Sequence, residues 1–381
     1  MPSNEDKPAH LPALTEVRAL LTKAIQDHVF PGCAFGVLSQ GAVVACEGLG
    51  GLTYEDDAPR VQPETVYDIA SLTKVVATTA MAMMLFERDM LKLDRLVGEL
   101  LPGFVVGRPD SAWARRITLR HLLAHNSGLP GYQPLFRRNS TSTELLRACL
   151  TMPLEAAPGT RAEYSDHGFI LLGKALEVLT GTSLADWTRR EIFAPLGMNS
   201  TCFCPEERRR ALIPPTEEDR WFRNRVIQGE VQDEHAFVLG GVAGHAGLFS
   251  NVPDLLRFCA AMLQTGGRML VSDATMRVFC ERQAPEGSSR ALGWDTPSVP
   301  SSSGSFFSRN SIGHLGYSGC SLWIDLDSRL AVVLLTNRTW PDRSNDAIRS
   351  FRPKFHDAIR QALGLPACGS QAVFRNSEEM A

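Results

Sequence analysis

Lysine is scarce in this chain, with six residues in 381 against 28 serines, so a lysine set beside a serine stands out. Charge of one sign is missing too: 39 basic and 42 acidic residues leave a net charge of -3. That balance gives no electrostatic footprint for nucleic acid or an anionic membrane. No hydrophobic run reaches a membrane span, since the longest, Val75–Phe86, covers about 12 residues and ends in Glu87-Arg88. The start, Met1-Pro-Ser-Asn-Glu-Asp-Lys-Pro, lacks a basic segment followed by an apolar one, so no secretory signal is predicted. The nine cysteines are odd in number and contain no C-x-x-C pair, which predicts reduced, buried thiols in a cytoplasmic protein rather than a disulfide framework. No fixed-period repeat is present. No G-x-S-x-G occurs, which excludes an α/β-hydrolase elbow, and no Gly-Lys-Ser/Thr follows the Gly240-Gly-Val-Ala-Gly244 loop, which excludes a P-loop. With 44% hydrophobic and 21% charged residues, the expectation is an ordinary soluble globular enzyme or binder of small molecules.

What is present is Asp68-Ile-Ala-Ser71-Leu-Thr-Lys74, opening an Ala/Met-rich helical run. Residues i and i+3 share a helix face, so the Ser71 hydroxyl and the Lys74 amine can meet. A serine hydroxyl becomes a useful nucleophile when a neighbour takes its proton, and a desolvated lysine can do that. The first helical turn adds unpaired backbone N–H groups and the positive end of the dipole, which suit an oxyanion. Chance alone supplies roughly 0.4 such Ser-x-x-Lys matches at this composition, and a serine here is also an ordinary N-cap, so the pattern needs support from elsewhere in the chain.

The pattern along the chain predicts α+β architecture. Residues 12–29 carry a helical period, and Cys33–Leu38 and Ala42–Leu49 read as a hairpin turning at Ser39-Gln40-Gly41. The Ser71 helix is expected to run to about Lys92, and the chain to stay mostly helical to residue 285, broken at Pro/Gly turns. Asp166–Thr180, ending at Gly181, and Asp254–Leu263, capped by Ser250 or Asn251, are predicted helices. Ala291–Asp295, Ser311–Tyr317, Ser321–Leu326 and Leu330–Thr336 read as strands, with Pro297–Ser305 a surface loop and Asp346–Leu363 a final helix. Strands from both ends most economically form one antiparallel sheet flanked by helices. The implied division is a discontinuous sheet domain, 1–93 with 286–368, a mostly helical domain, 94–285, and a disordered tail, 369–381, with Ser71 at the junction where pockets form.

Ser71-Leu-Thr-Lys74, Tyr164-Ser165-Asp166 before a helix, and His314-Leu315-Gly316 on a late strand resemble the three motifs of the serine β-lactamase/DD-peptidase superfamily. The chain looks closer to its class C β-lactamase-like branch, with esterases and D-aminopeptidases. Ile117–Leu129, Ile192–Met198, Gly244–Ser250 and Leu326–Asn337 agree in order and spacing, so the likeness covers roughly residues 15–365. The resemblance implies an antiparallel sheet flanked by helices plus a mostly helical second domain. It implies Ser71 as the acylated nucleophile, Lys74 as the holder of its proton, and Tyr164 as a shuttle that needs a cation to gain phenolate character. It places the oxyanion hole at the backbone N–H groups of Ser71 and Tyr317, after Gly316. Two departures stand out. His314 replaces the lysine that binds a substrate carboxylate, so weaker selection for penicillins or D-Ala-D-Ala ends and more tolerance of uncharged esters or amides is expected, with Arg338 as a replacement charge or a surface residue. Asp166 replaces an asparagine; a carboxylate cannot donate to a substrate carbonyl and favours the Lys74 ammonium.

Other signals receive structural readings. His121 and His125 have zinc spacing but no intervening glutamate, His245 sits in a glycine-rich turn, and Asp233-Glu234-His235 reads as a loop anchor. Arg208-Arg209-Arg210 reads as a solvated turn. The sequence thus predicts a cytoplasmic serine hydrolase acting through an acyl-enzyme on small ester, amide or cell-wall-derived substrates, without metal, cofactor, nucleic acid or membrane. A β-lactamase or DD-carboxypeptidase is the alternative enzyme, and an acylatable sensor the non-enzymatic one. Acyl group, leaving group and oligomeric state are left open.

Overall fold

The computed structural model describes residues 14–264 and 269–365. The elements that carry the architecture are α1 (Thr15–Gln26), β1 (Gly32–Ser39), β2 (Ala42–Gly50), α2 (Ala80–Glu87), α3 (Asp166–Thr180), α4 (Val252–Met262), β3 (Ser311–Leu315), β4 (Ser321–Asp325), β5 (Leu330–Thr336) and α5 (Ile348–Ala362). The five strands form one antiparallel sheet in the order β2-β1-β5-β4-β3, so strands from the two ends of the chain are direct neighbours. Cys33 pairs with Thr336 and Val37 with Val332, and β4 joins β5 through a tight hairpin from Asp325 to Leu330.

Side-chain alternation on the strands explains why helices cover both faces. Phe35, Val37, Val332 and Leu334 belong to one apolar cluster with Val17 and Leu21 of α1 and Phe355 and Ile359 of α5. Ala34, Leu38, Val333 and Leu335 belong to a second with Val252, Leu255 and Leu256 of α4. Gly36 lets α4 lie directly on β1, because a Cβ there would run into Val252 and Leu256. The second cluster continues without a break into the middle of the chain, through Met81, Leu122, Phe169 and Leu172. The α+β prediction therefore holds, and the sheet is built from both chain ends as expected.

Details differ where tertiary contacts override local pattern. The Ser71 helix is a 3₁₀ turn at Ala70–Leu72, a π-helical stretch at Lys74–Thr79 and then α2, which ends at Glu87 rather than near Lys92. Ala291–Asp295 makes only isolated bridges, Arg290 to Asp295 and Asp295 to Gly313. Gly293 turns there at φ 85° and gives its N–H to the Leu123 carbonyl, 2.9 Å away, so only Asp295 reaches the sheet and the segment does not extend it as a strand. The mostly helical middle also supplies strand Leu248–Ser250, which pairs with Tyr67–Asp68 and Cys202–Phe203. Asn251 caps α4, its side chain accepting the Asp254 N–H at 3.0 Å. The predicted tail, 369–381, lies outside the described residues. Among those described, eight cysteines are free thiols.

Candidate active site

The Ser71 turn is fixed by an aspartate. Asp68 is buried, and its carboxylate accepts the N–H groups of Ala70 and Gln232, each at 2.8 Å. Its carbonyl accepts the Ser318 hydroxyl at 2.8 Å. Burial pushes the Asp68 carboxyl up to about 6, against which the two N–H bonds pull down. The chain reverses through Ala70 at φ 47°, a left-handed conformation that a non-glycine residue keeps only when its surroundings enforce it. Thr73 closes the turn, its hydroxyl donating to the Ala70 carbonyl at 2.6 Å and accepting the Leu248 N–H at 3.1 Å. The π-helical widening that follows is a common device at functional sites.

Lys74 is completely buried, and its ammonium makes three hydrogen bonds. It donates to Ser71 Oγ at 3.1 Å, Asp166 Oδ1 at 2.6 Å and the His245 carbonyl at 3.1 Å. An ammonium has three donors, so each is engaged. Burial works to lower the Lys74 pKa, but the Asp166 carboxylate and the Tyr164 phenol outweigh it, and the amine is held above its ordinary value. Burial raises and Lys74 lowers the Asp166 carboxyl, with a net shift downward. The resting pair is therefore an ammonium and a carboxylate.

Tyr164 lies over this centre, with Lys74 Nζ 4.9 Å from its ring centroid and the Arg290 guanidinium carbon 5.2 Å from it. Burial raises its phenol pKa despite Lys74 nearby. The residues on both sides of Tyr164 are held by one histidine. His125 accepts the Glu163 N–H through its carbonyl at 2.8 Å and the Ser165 N–H through Nδ1 at 3.0 Å. Its ring is 4.7 Å from the Tyr164 ring and 4.9 Å from Phe169. Ser165 also caps α3, accepting the Gly168 N–H at 3.3 Å, so Tyr164 is fixed between a capped helix and a buried imidazole. His125→Phe, which keeps a ring and deletes the acceptor, is expected to lower kcat about tenfold or more with KM nearly unchanged. Steady-state kinetics with a melting curve checks this, and an unchanged kcat would remove the positioning role.

The opposite wall is the end of β3. A Cβ on Gly316 would lie 2.6 Å from the Ile69 carbonyl, so glycine permits this strand end to close on the Ser71 turn. Arg352 of α5, buried, donates to the carbonyls of Gly316, Gly319 and Cys320 at 2.7, 3.1 and 2.9 Å and so fixes the turn after β3. Arg338 is not a surface residue: it is buried at the cleft and donates to the carbonyls of Tyr317, Arg343 and Asn345. His314 donates from Nδ1 to the Leu315 carbonyl at 2.8 Å, leaving Nε2 unpartnered and buried. Burial, with Lys74 and Arg290 adding to it, pulls its pKa down to about 3, so this imidazole is neutral near pH 7. Ser71, Tyr164, Asp166, His314, Gly316 and Tyr317 line one cleft of about 540 Å³, with Lys74 buried behind Ser71.

The remaining histidine signals resolve into anchors. His121 and His125 do not converge, because the helix ends at Leu123 and His125 turns away at φ 54°, while His121 Nδ1 takes the Thr118 N–H at 3.1 Å. Asp233, His235 and His245 bring metal-type donor atoms within 4.8 Å of one another. His235 Nε2 accepts the Leu135 N–H at 3.1 Å, which puts the ring proton on Nδ1, so His235 offers the cluster an N–H instead of a lone pair. Asp233 Oδ1 bonds His245 Nε2 and the Ala236 N–H, both at 2.8 Å, which secures the loop whose carbonyl holds Lys74. Sequence reasoning assigned no role at this site to Asp68, His125, Arg290 or Arg352. Asp68 and His125 stood inside stretches already singled out; Arg290 and Arg352 carried no local signal.

Comparison with known proteins follows this geometry. Residues 17–352 match the family model described as Beta-lactamase. A Bacillus subtilis (strain 168) N-acetylmuramyl-L-alanine amidase is 31% identical over 342 residues, covering 81% of this chain and 77% of the relative. Among solved structures, EstCE1, a hydrolase with promiscuous acyltransferase activity, superposes with a TM-score of 0.74 at 23% identity, covering 91% of this chain and 98% of its own. A class C beta lactamase from Rhodobacter sphaeroides does so with a TM-score of 0.70 at 21% identity, covering 91% and 99%.

Proposed function

Because the chain belongs to the beta-lactamase family and is on that account a serine hydrolase, we propose that Ser71 is acylated by small esters or amides and deacylated by water. The observation that carries the reading is the 3.1 Å contact between a fully buried Lys74 Nζ and Ser71 Oγ, with Tyr164 over both. The Lys74–Tyr164 pair first loses one proton to solvent. Ser71 Oγ then bonds to the substrate carbonyl carbon and passes its proton to the pair. Collapse of the tetrahedral intermediate breaks the bond to the alcohol or amine, which leaves with that proton. Water attacks the acyl-enzyme, gives a proton to the pair, and Ser71 recovers it as the acid departs. The backbone N–H groups of Ser71 and Tyr317 receive the oxyanion in both halves. The neutral His314 supports tolerance of uncharged esters, and the amidase relative supports cell-wall-derived amides as natural substrates.

The test is turnover of p-nitrophenyl acetate and butyrate, an N-acetylmuramyl-L-alanine amide and a chromogenic cephalosporin. Ester or amide hydrolysis that falls about 10⁴-fold in Ser71→Ala, with slow cephalosporin cleavage, is the expected result. Fast cephalosporin turnover would make this a β-lactamase. A Ser71 adduct without turnover would favour the sensor.

A further inference from the structure

Resting on that reading, we propose that the buried Nε2 of His314 and the free carboxylate oxygen of Asp166 accept hydrogen bonds from the substrate. The enzyme then selects an ester or amide that carries an N–H or O–H donor beside the reacting bond. His314 lines the cleft with Ser71 and is only 3% exposed. Its Nδ1 gives a proton to the Leu315 carbonyl at 2.8 Å, and a neutral imidazole has one N–H. Nε2 is therefore a bare lone pair, and among the described residues nothing donates to it. A buried acceptor in that state costs free energy that a donor on a ligand recovers.

Asp166 adds a second acceptor at the same cleft. Its Oδ1 takes the Lys74 ammonium at 2.6 Å, its side chain is 15% exposed, and no described residue donates to Oδ2. Tyr164 links the two acceptors: Lys74 Nζ, which holds Asp166, is 4.9 Å from its ring centroid, and the His314 ring is 5.8 Å from it. The cationic donors nearby are committed elsewhere. Lys74 has its three donors on Ser71, Asp166 and the His245 carbonyl. Arg338 and Arg352 donate to backbone carbonyls, Arg343 is fixed between Glu217 and Glu234, and Arg290 is paired with Asp295 at 3.8 Å. A ligand group that reaches His314 and Asp166 thus meets lone pairs. A site built to accept from an N–H or O–H rejects the analogue without it, because its own buried acceptor is then left unpaired. A hydroxyl, an amide N–H or an ammonium shares this chemistry, and the Asp166 charge favours the ammonium.

The experiment compares kcat/KM within pairs of esters that differ by methylation of the donor. On the acyl half, the p-nitrophenyl esters of lactic acid and 2-methoxypropanoic acid test a hydroxyl, and those of alanine and N,N,N-trimethylalanine test an ammonium. On the leaving half, m-(hydroxymethyl)phenyl butyrate is set against m-(methoxymethyl)phenyl butyrate. The wild type is expected to prefer the donor-bearing member of at least one pair. That preference ratio should fall tenfold or more in His314→Phe, which keeps a ring without the lone pair, and in Asp166→Asn. It should be partly kept in His314→Gln, whose side-chain carbonyl is an acceptor. Cleavage of p-nitrophenyl butyrate with no preference in any pair would overturn the proposal while leaving the hydrolase reading intact. A loss in both His314→Phe and Asp166→Asn that is equal for the two members of each pair would also overturn it, since these residues would then act on Tyr164 and Lys74 and not on the substrate. Failure of the wild type to cleave any ester would count against the hydrolase reading, and against this proposal with it.

Discussion

Lys74→Met is expected to lower kcat/KM for p-nitrophenyl butyrate about a thousandfold and to destabilise the fold by about 3–5 kcal/mol at pH 7. The rate falls because the group that contacts Ser71 Oγ and shares its proton is gone. The stability falls for a separate reason: Asp166, whose carboxylate is only 15% exposed, is left without its counter-ion. The two effects separate in a double variant. Lys74→Met with Asp166→Asn removes both charges and should recover most of the stability, read by chemical denaturation, while turnover stays lost. If turnover returned, Lys74 would be a structural partner of Asp166 and nothing more.

Asp166→Asn alone is expected to move the rising limb of the kcat/KM–pH profile, which reports the base form of the Lys74–Tyr164 pair, at least one unit toward acid and so raise the rate near neutrality. In the native protein the Asp166 charge overcomes burial and keeps Lys74 protonated above its ordinary value. The base form of the Lys74–Tyr164 pair is then scarce at pH 7. An amide in place of the carboxylate leaves burial as the dominant influence, which favours the neutral amine. The same substitution has a predictable effect on stability. Lys74, raised in the fold, contributes stability that is present below its unfolded pKa and lost as pH rises through the folded value. Asp166, lowered in the fold, contributes stability present above its unfolded pKa and lost as pH falls through the folded value. The pair therefore stabilises between roughly pH 4 and 10, the window of the two ordinary values. The advantage of the native protein over Asp166→Asn should shrink outside it. A limb that does not move would mean that Asp166 does not control the base.

Whatever is decided locally was readable in advance. α3 carries its own start and stop, the Ser165 cap and Gly181 at φ 64°, and its predicted bounds hold. β1, β2, β4 and β5 announce themselves by short apolar, β-rich runs bounded by turn residues and fall within a residue or two of expectation. Ser71, Lys74, Tyr164, Asp166 and His314 were legible as motifs, and one cleft gathers them. What could not be read depends on partners far along the chain. Ala291–Asp295 has strand composition, yet Gly293 docks against the Leu123 carbonyl and Thr79. Nothing in Ile69-Ala70-Ser71 signals that Ala70 is left-handed, because Asp68, Gln232 and Leu248 impose it. His125 matched a zinc spacing, whereas its partners, Glu163 and Ser165, lie on a different segment. Arg338 read equally as a surface residue, and only the fold shows it buried on three carbonyl acceptors.

The central sheet has a consequence for how the molecule comes into being. β1 hydrogen-bonds to β2 on one side and β5 on the other, and Cys33 meets Thr336 across about three hundred residues of chain. On a ribosome the first hairpin therefore emerges with one edge bare and waits for almost the whole polypeptide before its partner strand appears. The inner edge that must stay open is the apolar run Ala34-Phe35-Gly36-Val37-Leu38, a segment prone to pairing with the wrong neighbour. Folding is then limited by closing that long loop, and a truncation before β5 should give a chain that aggregates instead of a smaller folded core.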